Sequence, residues 1–139
     1  MSTCDRPKEN KKNGLIVLLI EDRPDILYVH KRWLEKMGLT VDTAMTGEEA
    51  FKRFRNYQYA LIILDGGLPD MNGLELGKKL REQEKATGRA RTPLVLLSGY
   101  TKQLIEEWCL ELDLEGFEQK PVKFEDLENL VLGCLKKHI

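Results

Sequence analysis

The sequence predicts an α/β domain in which five parallel strands alternate with five helices, and three observations carry that prediction. Three apolar runs are continuous rather than alternating: 15–20 (LIVLLI), 61–64 (LIIL) and 94–97 (LVLL), the last directly after Pro93. Short, continuous, β-prone runs mark strands covered on both faces, as in a parallel sheet. Segments with apolar residues at helical spacing lie between the runs. The length of 139 residues suits one domain whose core needs no disulfide or metal staple.

Each element follows in order. Residues 1–13 are polar and Lys-rich and read as a disordered tail ahead of a domain at 14–139. Strand 1 is the run at 15–20. Ile26, Leu27, His30, Trp33, Leu34 and Met37 stripe helix 1, and Gly38 supplies its stop. Residues 40–44 (TVDTA) alternate instead, which suits an edge strand. Helix 2, at 46–54, opens with a capping-box pattern of Thr46 and Glu49. Strand 3 is at 61–64, helix 3 at 74–84, and a polar stretch runs on to Thr92. Strand 4 is at 94–97. Leu104, Ile105, Trp108 and Leu112 stripe helix 4, and a weaker strand 5 is expected at 116–119. Leu127, Leu130, Val131, Cys134 and Leu135 stripe helix 5. A (βα)5 chain with right-handed crossovers can wind in the order 2-1-3-4-5, with ligands beyond the carboxyl ends of strands 1 and 3.

Composition narrows the function classes. The chain is 42% hydrophobic and 32% charged with a formal net charge of −1, so no electrostatic pull toward nucleic acid or anionic membrane is expected. The run at 15–20 is too short to span a bilayer, and no apolar secretory segment precedes it. Cys4, Cys109 and Cys134 form an odd, widely spaced set without a CxxC pair, which fits reduced cytoplasmic thiols.

Chemistry collects at the predicted strand tips. Strand 1 ends in Glu21 and Asp22, strand 3 in Asp65, strand 4 in Ser98 and strand 5 in Lys120-Pro121. The topology brings three carboxylates, a hydroxyl and an ammonium into one crevice. Clustered carboxylates repel unless a cation sits among them. An oxygen-only donor set favours Mg²⁺. Asp65 would then be placed to attack phosphorus and hold the phosphoryl group as an acyl phosphate. Lys120 and the metal would offset charge on the transferring oxygens, with the Ser98 hydroxyl donating to one of them.

The segments LLIEDRP (18–24), LIILDGGLPDMNGLEL (61–76), LVLLSGY (94–100) and EQKPVKFEDL (118–127) carry a resemblance. The chain resembles the receiver domain of two-component response regulators, a flavodoxin-like fold, from about Gly14 onward. The resemblance implies that Asp65 is the phosphoacceptor. It implies that Asp22, Asp65 and the backbone carbonyl of Gly67 hold Mg²⁺, with Glu21 reaching the ion through water. Ser98 and Lys120 would read the phosphoryl group, and Phe117 would be the aromatic that turns with it. The Lys120-Pro121 bond would be cis. Glu21 stands where Asp is commoner, and Phe117 lacks a tyrosine hydroxyl. Tyr100, two residues past Ser98, is placed to shield the acyl phosphate from water.

Other residues have plainer expectations. His30 reads as a border-of-core histidine, His138 as solvated, and Trp33 and Trp108 as core packing. Lys78, Lys79, Arg81, Lys85, Arg89 and Arg91 are interspersed with Glu82 and Glu84 and read as a solvated face. A phosphohydrolase of the haloacid-dehalogenase type also uses a strand-tip Asp, but wants a second Asp where Gly67 stands. A third reading is a degenerate receiver that only binds partners.

The function expected is therefore a cytoplasmic phosphoacceptor switch, not a turnover enzyme. Its donor would be a histidine kinase or histidine phosphotransfer protein, and its output the helix 4–strand 5–helix 5 surface. That surface would meet a downstream protein or a second copy of the chain. No DNA-binding or enzymatic output segment is expected after the domain, and a free-standing regulator and a hybrid-kinase receiver fit equally.

Overall fold

A computed structural model describes residues 15–65 and 67–137. The expected tail at 1–13, Cys4 and His138 lie outside them. The described elements are β1 (Ile16–Ile20), α1 (Pro24–Lys36), β2 (Thr40–Ala44), α2 (Gly47–Asn56), β3 (Leu61–Asp65), α3 (Gly73–Thr87), β4 (Leu94–Ser98), α4 (Lys102–Leu112), β5 (Gly116–Gln119) and α5 (Phe124–Lys137). The strands form one parallel sheet in the order β2-β1-β3-β4-β5. The predicted (βα)5 winding is the one observed.

The continuous apolar runs have a two-sided explanation. Leu18, Ile20, Ile62, Leu64, Leu94 and Leu96 point into one core with Ala50, Phe54, Leu76, Leu80, Ile105, Trp108 and Leu112, from α2, α3 and α4. Their neighbours Val17, Leu19, Leu61, Ile63, Val95 and Leu97 point the other way, onto Leu34 of α1 and Leu127, Val131, Cys134 and Leu135 of α5. Side chains alternate across a strand, so a sheet covered on both faces needs apolar residues at every position. Each fully buried Leu or Ile contributes about 1.5–3 kcal/mol.

Local signals set the helix ends. Pro24 opens α1, where its missing N–H costs nothing. Gly38, at φ 88°, closes the helix by donating to the Glu35 carbonyl at 2.9 Å, while Leu39 N donates to Leu34 O at 3.3 Å. Thr46 caps α2 by accepting from Glu49 N at 3.0 Å, but Glu49 Oε1 accepts from Met45 N rather than closing the box on Thr46. The reciprocal capping box stands at α3 instead, between Asn72 and Glu75.

Residues 40–44 form the edge strand that the sequence predicts, with its polar residues buried or half-buried. Thr40 and Asp42 are buried, and Asp42 accepts from Tyr59 Oη at 2.8 Å. The solvated-face reading fails for Arg81 and Arg89, while Arg91 stays exposed. Arg81 donates to Glu84, Thr92 O, Leu112 O and Asp113 O, which ties α3 to the end of α4. Arg89 donates to the carbonyls of Phe54 and Arg55, with its guanidinium over the Phe54 ring. Arg91 pairs with Asp113 and Glu115. Lys78, by contrast, makes an exposed pair with Glu111.

Candidate functional site

The crevice lies beyond the carboxyl ends of β1, β3 and β4. It is lined by Glu21, Asp22, Arg23, Asp65, Gly67, Ser98, Tyr100 and Lys120. Of the seven residues given a part in phosphoryl transfer, metal binding or switching, six meet there, and so does Tyr100. Phe117 does not. It sits half-buried in β5, opposite Leu96 in the ladder, and packs against the α2–α3–α4 core.

Parallel register brings the six together. Ile20 pairs with Leu64, so the residues just beyond them, Glu21 and Asp65, leave adjacent strands side by side. Lys120 N donates to Ser98 O at 2.8 Å, which extends the β4–β5 ladder to the lysine. The Lys120-Pro121 bond is cis, as the resemblance implied. Lys120 Nζ then reaches Asp65 Oδ1 at 2.7 Å and Glu21 Oε1 at 3.3 Å.

One ammonium faces three carboxylates. Oxygens of Glu21, Asp22 and Asp65 lie within 4.8 Å of one another, with Glu21 and Asp65 buried and Asp22 half-buried. Burial pushes the Glu21 carboxyl up, and a hydrogen bond to Asp65 and that residue's charge push it further, from 4.5 to about 7. For Asp65 burial works upward too, but hydrogen bonds from Glu21 and Lys120 and the lysine's charge prevail, so its carboxyl lies below the ordinary range. Burial would lower Lys120, yet Asp65 and Glu21 hold it above its ordinary value. The raised Glu21 carboxyl holds its proton up to about pH 7, which relieves part of the cluster's negative charge. A hard divalent cation would relieve it equally well, and the all-oxygen donor set fits Mg²⁺.

The hydroxyl and the loops are also placed. Ser98 is fully buried, and its Oγ accepts from Tyr100 N at 2.9 Å. Gln119 Nε2 donates to Tyr100 O at 3.1 Å, which ties the β4–α4 loop to β5. The Tyr100 ring meets Trp108 of α4 edge-on, with centroids 5.4 Å apart. Gly67 N donates to Asp65 Oδ1 at 3.2 Å.

His30 is buried as expected, and among the described residues its Nδ1 has no hydrogen-bond partner. Burial, followed by the Lys120 charge, holds its imidazole below the ordinary value. Trp108 is buried, whereas Trp33 is only half-buried, edge-on to Phe124 at 5.6 Å. Sequence reasoning missed two participants. Arg23 lines the crevice and donates its N–H to Glu21 Oε2 at 3.4 Å. Asp70 reaches from the β3–α3 loop to α2. Its place just before Asn72 and Gly73 signalled a helix start, but its partner is the wrong helix for that signal.

The chain also matches known proteins over most of its length. Residues 17–132 match the family described as response regulator receiver domain. The chain belongs to the response regulator receiver family. It is 44% identical over 118 residues to the aerobic respiration control sensor protein ArcB of Escherichia coli (strain K12), which covers 85% of this receiver and 15% of ArcB. It is 30% identical over 128 residues to the alkaline phosphatase synthesis transcriptional regulatory protein PhoP of Bacillus subtilis (strain 168), covering 92% of the chain and 50% of PhoP. The receiver thus spans half or less of the length of these relatives. Among solved structures, it is similar to the receiver domain of the Francisella response regulator 1452, with TM-score 0.80 and 25% identity over 90% of this chain and 99% of that one. It is likewise similar to a CheY-like receiver from Methanospirillum hungatei, with TM-score 0.79 and 26% identity over 88% and 94% of the two chains. Among the described residues no helix is long and apolar enough to cross a membrane.

Proposed function

We propose that this receiver accepts a phosphoryl group on Asp65 in a Mg²⁺-dependent transfer from a histidine kinase or a histidine phosphotransfer protein. The observation that carries this reading is Lys120 Nζ at 2.7 Å from a buried strand-tip carboxylate that has two further carboxylates beside it. A carboxylate oxygen of Asp65 forms the new O–P bond while the P–N bond of the phosphohistidine breaks, and the imidazole leaves with the electron pair. Lys120 holds Asp65 ionised and is placed to pair with the phosphoryl oxygens. Mg²⁺, held by Asp22, Asp65 and the Gly67 carbonyl with Glu21 through water, would supply further charge neutralisation at the transferring group. Ser98 turns its hydroxyl from Tyr100 N toward the phosphoryl group, and Phe117 turns into the space released. The α4–β5–α5 surface then changes for a downstream protein or a second copy of the chain. Tyr100, at the rim of the crevice, shields the acyl phosphate from water. A chain of this kind works in the cytoplasm, where such donors act.

Titration of the full chain with beryllofluoride, an acyl-phosphate mimic, tests the reading through Trp108 fluorescence beside Tyr100. A saturable change is expected only when Mg²⁺ and beryllofluoride are both present. Absence of any change with both would overturn the phosphoacceptor reading.

The proton on Glu21 makes a second prediction. With its carboxyl raised from 4.5 to about 7, Glu21 contributes stability to the metal-free fold below pH 4.5, and that contribution is lost as pH rises through about 7. Mg²⁺ must displace the same proton, so its affinity is expected to climb with pH to about 7 and then level off. Calorimetric titrations at about pH 6 and about pH 8 check this, with proton release at the lower pH only. Equal affinities at the two would show that Glu21 carries no such proton.

A further inference from the structure

The β3–α3 loop begins at Asp65 and ends at the cap of α3, yet its firmest attachment is to neither. Asp70 Oδ1 accepts from Gly47 N at 2.8 Å, and Oδ2 accepts from Glu48 N at 3.0 Å. Both oxygens of one exposed carboxylate are therefore committed to the first two residues of α2, more than twenty positions upstream. The Gly47 N–H is the main reason that the Asp70 carboxyl lies below its ordinary range. Beside this grip, Met71 lies against Gly47 so closely that a Cβ there would fall 2.6 Å from its Cγ and Sδ. A side chain at position 47 would have to push the flexible Met71 thioether aside. Asn72 closes the other end by capping α3 and pairing back to Gly67 as an isolated antiparallel bridge.

Gly67 has the opposite environment. A Cβ built on it would meet nothing within 4 Å, so the space beside its Cα is open. Its position is set by the bridge to Asn72 and by its N–H bond to Asp65 Oδ1. The bridge depends on where Asn72 is held, two residues past Asp70.

We propose that Asp70 is a positioning residue for the cation site, its two-pronged grip on α2 setting where Gly67 stands beside Asp65. This rests on the Mg²⁺ reading above, in which the Gly67 carbonyl is a ligand. Groups that orient metal ligands without touching the metal are worth about 10–100-fold in affinity. Asp70 acts one step further out, at the lower end of that range.

The control is Thr46→Ala, which removes the local cap of α2 but leaves the loop's tether in place. Asp70→Asn keeps the side chain's shape but loses one of its two acceptor oxygens, and Asp70→Ala loses both. For each full-length variant, Mg²⁺ affinity is measured calorimetrically and the thermal midpoint by circular dichroism. Asp70→Ala is expected to bind Mg²⁺ about tenfold more weakly than wild type, with Asp70→Asn in between, while Thr46→Ala loses thermal stability but little affinity. Wild-type affinity in Asp70→Ala, or an equal loss in Thr46→Ala, would overturn the positioning role while the cation reading stands. A wild-type chain that binds no Mg²⁺ would overturn the cation reading and the positioning role with it.

Discussion

Asp65→Asn is expected to abolish phosphoryl acceptance while leaving the fold in place. The amide has nearly the shape of the carboxylate but no anionic oxygen to attack phosphorus. Asp65 ends β3 in register with Leu97, through backbone groups that the substitution does not touch. Lys120 loses the Asp65 charge but keeps an amide oxygen there and Glu21 at 3.3 Å. Removing one of three crowded carboxylates also removes repulsion, so little stability should be lost. With the Asp65 charge gone, a cause of the raised Glu21 carboxyl disappears, and Glu21 should titrate lower. Incubation with a radiolabelled phosphorylated donor gives the measurement, scored as acid-stable, hydroxylamine-labile label on the protein. Label at wild-type level in Asp65→Asn would place the acceptor on another residue.

Arg81→Ala is expected to cost about 3–5 kcal/mol, the usual cost of breaking a buried ion pair from one side. The Arg81 and Glu84 side chains are 15% and 7% exposed and meet at 3.1 Å. Glu84 also accepts from Thr92 N at 2.6 Å, so it stays fixed in place when the arginine goes. The truncation leaves that carboxylate without its counter-charge, and the Leu112, Thr92 and Asp113 carbonyls lose a donor. Domains of this size are stable by about 5–15 kcal/mol, so the loss is a large fraction of the whole. Lys78→Ala is the reference, because its pair with Glu111 is about half exposed on both sides and worth at most about 1 kcal/mol. Urea midpoints of the two variants decide the matter. If Arg81→Ala costs no more than Lys78→Ala, the network does not hold α3 to the end of α4.

The strands, the helices and the tips of the strands were legible because their signals are local. A four- to six-residue apolar run declares a doubly covered strand, and the residue that ends it declares a tip. Glu21, Asp22, Asp65, Ser98 and Lys120 could therefore be gathered once the winding order was assumed. Arg81, Arg89 and Arg91 resisted the same treatment. Their acceptors include main-chain carbonyls, which every residue carries, at separations of up to 35 positions. A basic residue with a carbonyl partner looks the same in sequence as one with water. Asp42 shows the same limit. Alternation marks which residues differ, but only Tyr59, seventeen positions on, makes the polar one a buried one.

The sequence by itself determined the alternation of strand and helix, the apolar stripes of α1, α4 and α5 and the chemical set at the strand tips. These follow from side-chain polarity and spacing, properties the chain carries before it folds. Tertiary structure decided how that set is charged and held. Whether Glu21 keeps a proton depends on burial and on Asp65, forty-four positions away, coming within hydrogen-bonding reach. Whether Gly67 stands beside the cluster depends on Asp70 gripping α2. Electrostatic shifts and loop tethers act through distances in space, and only the packed sheet and helices set those distances.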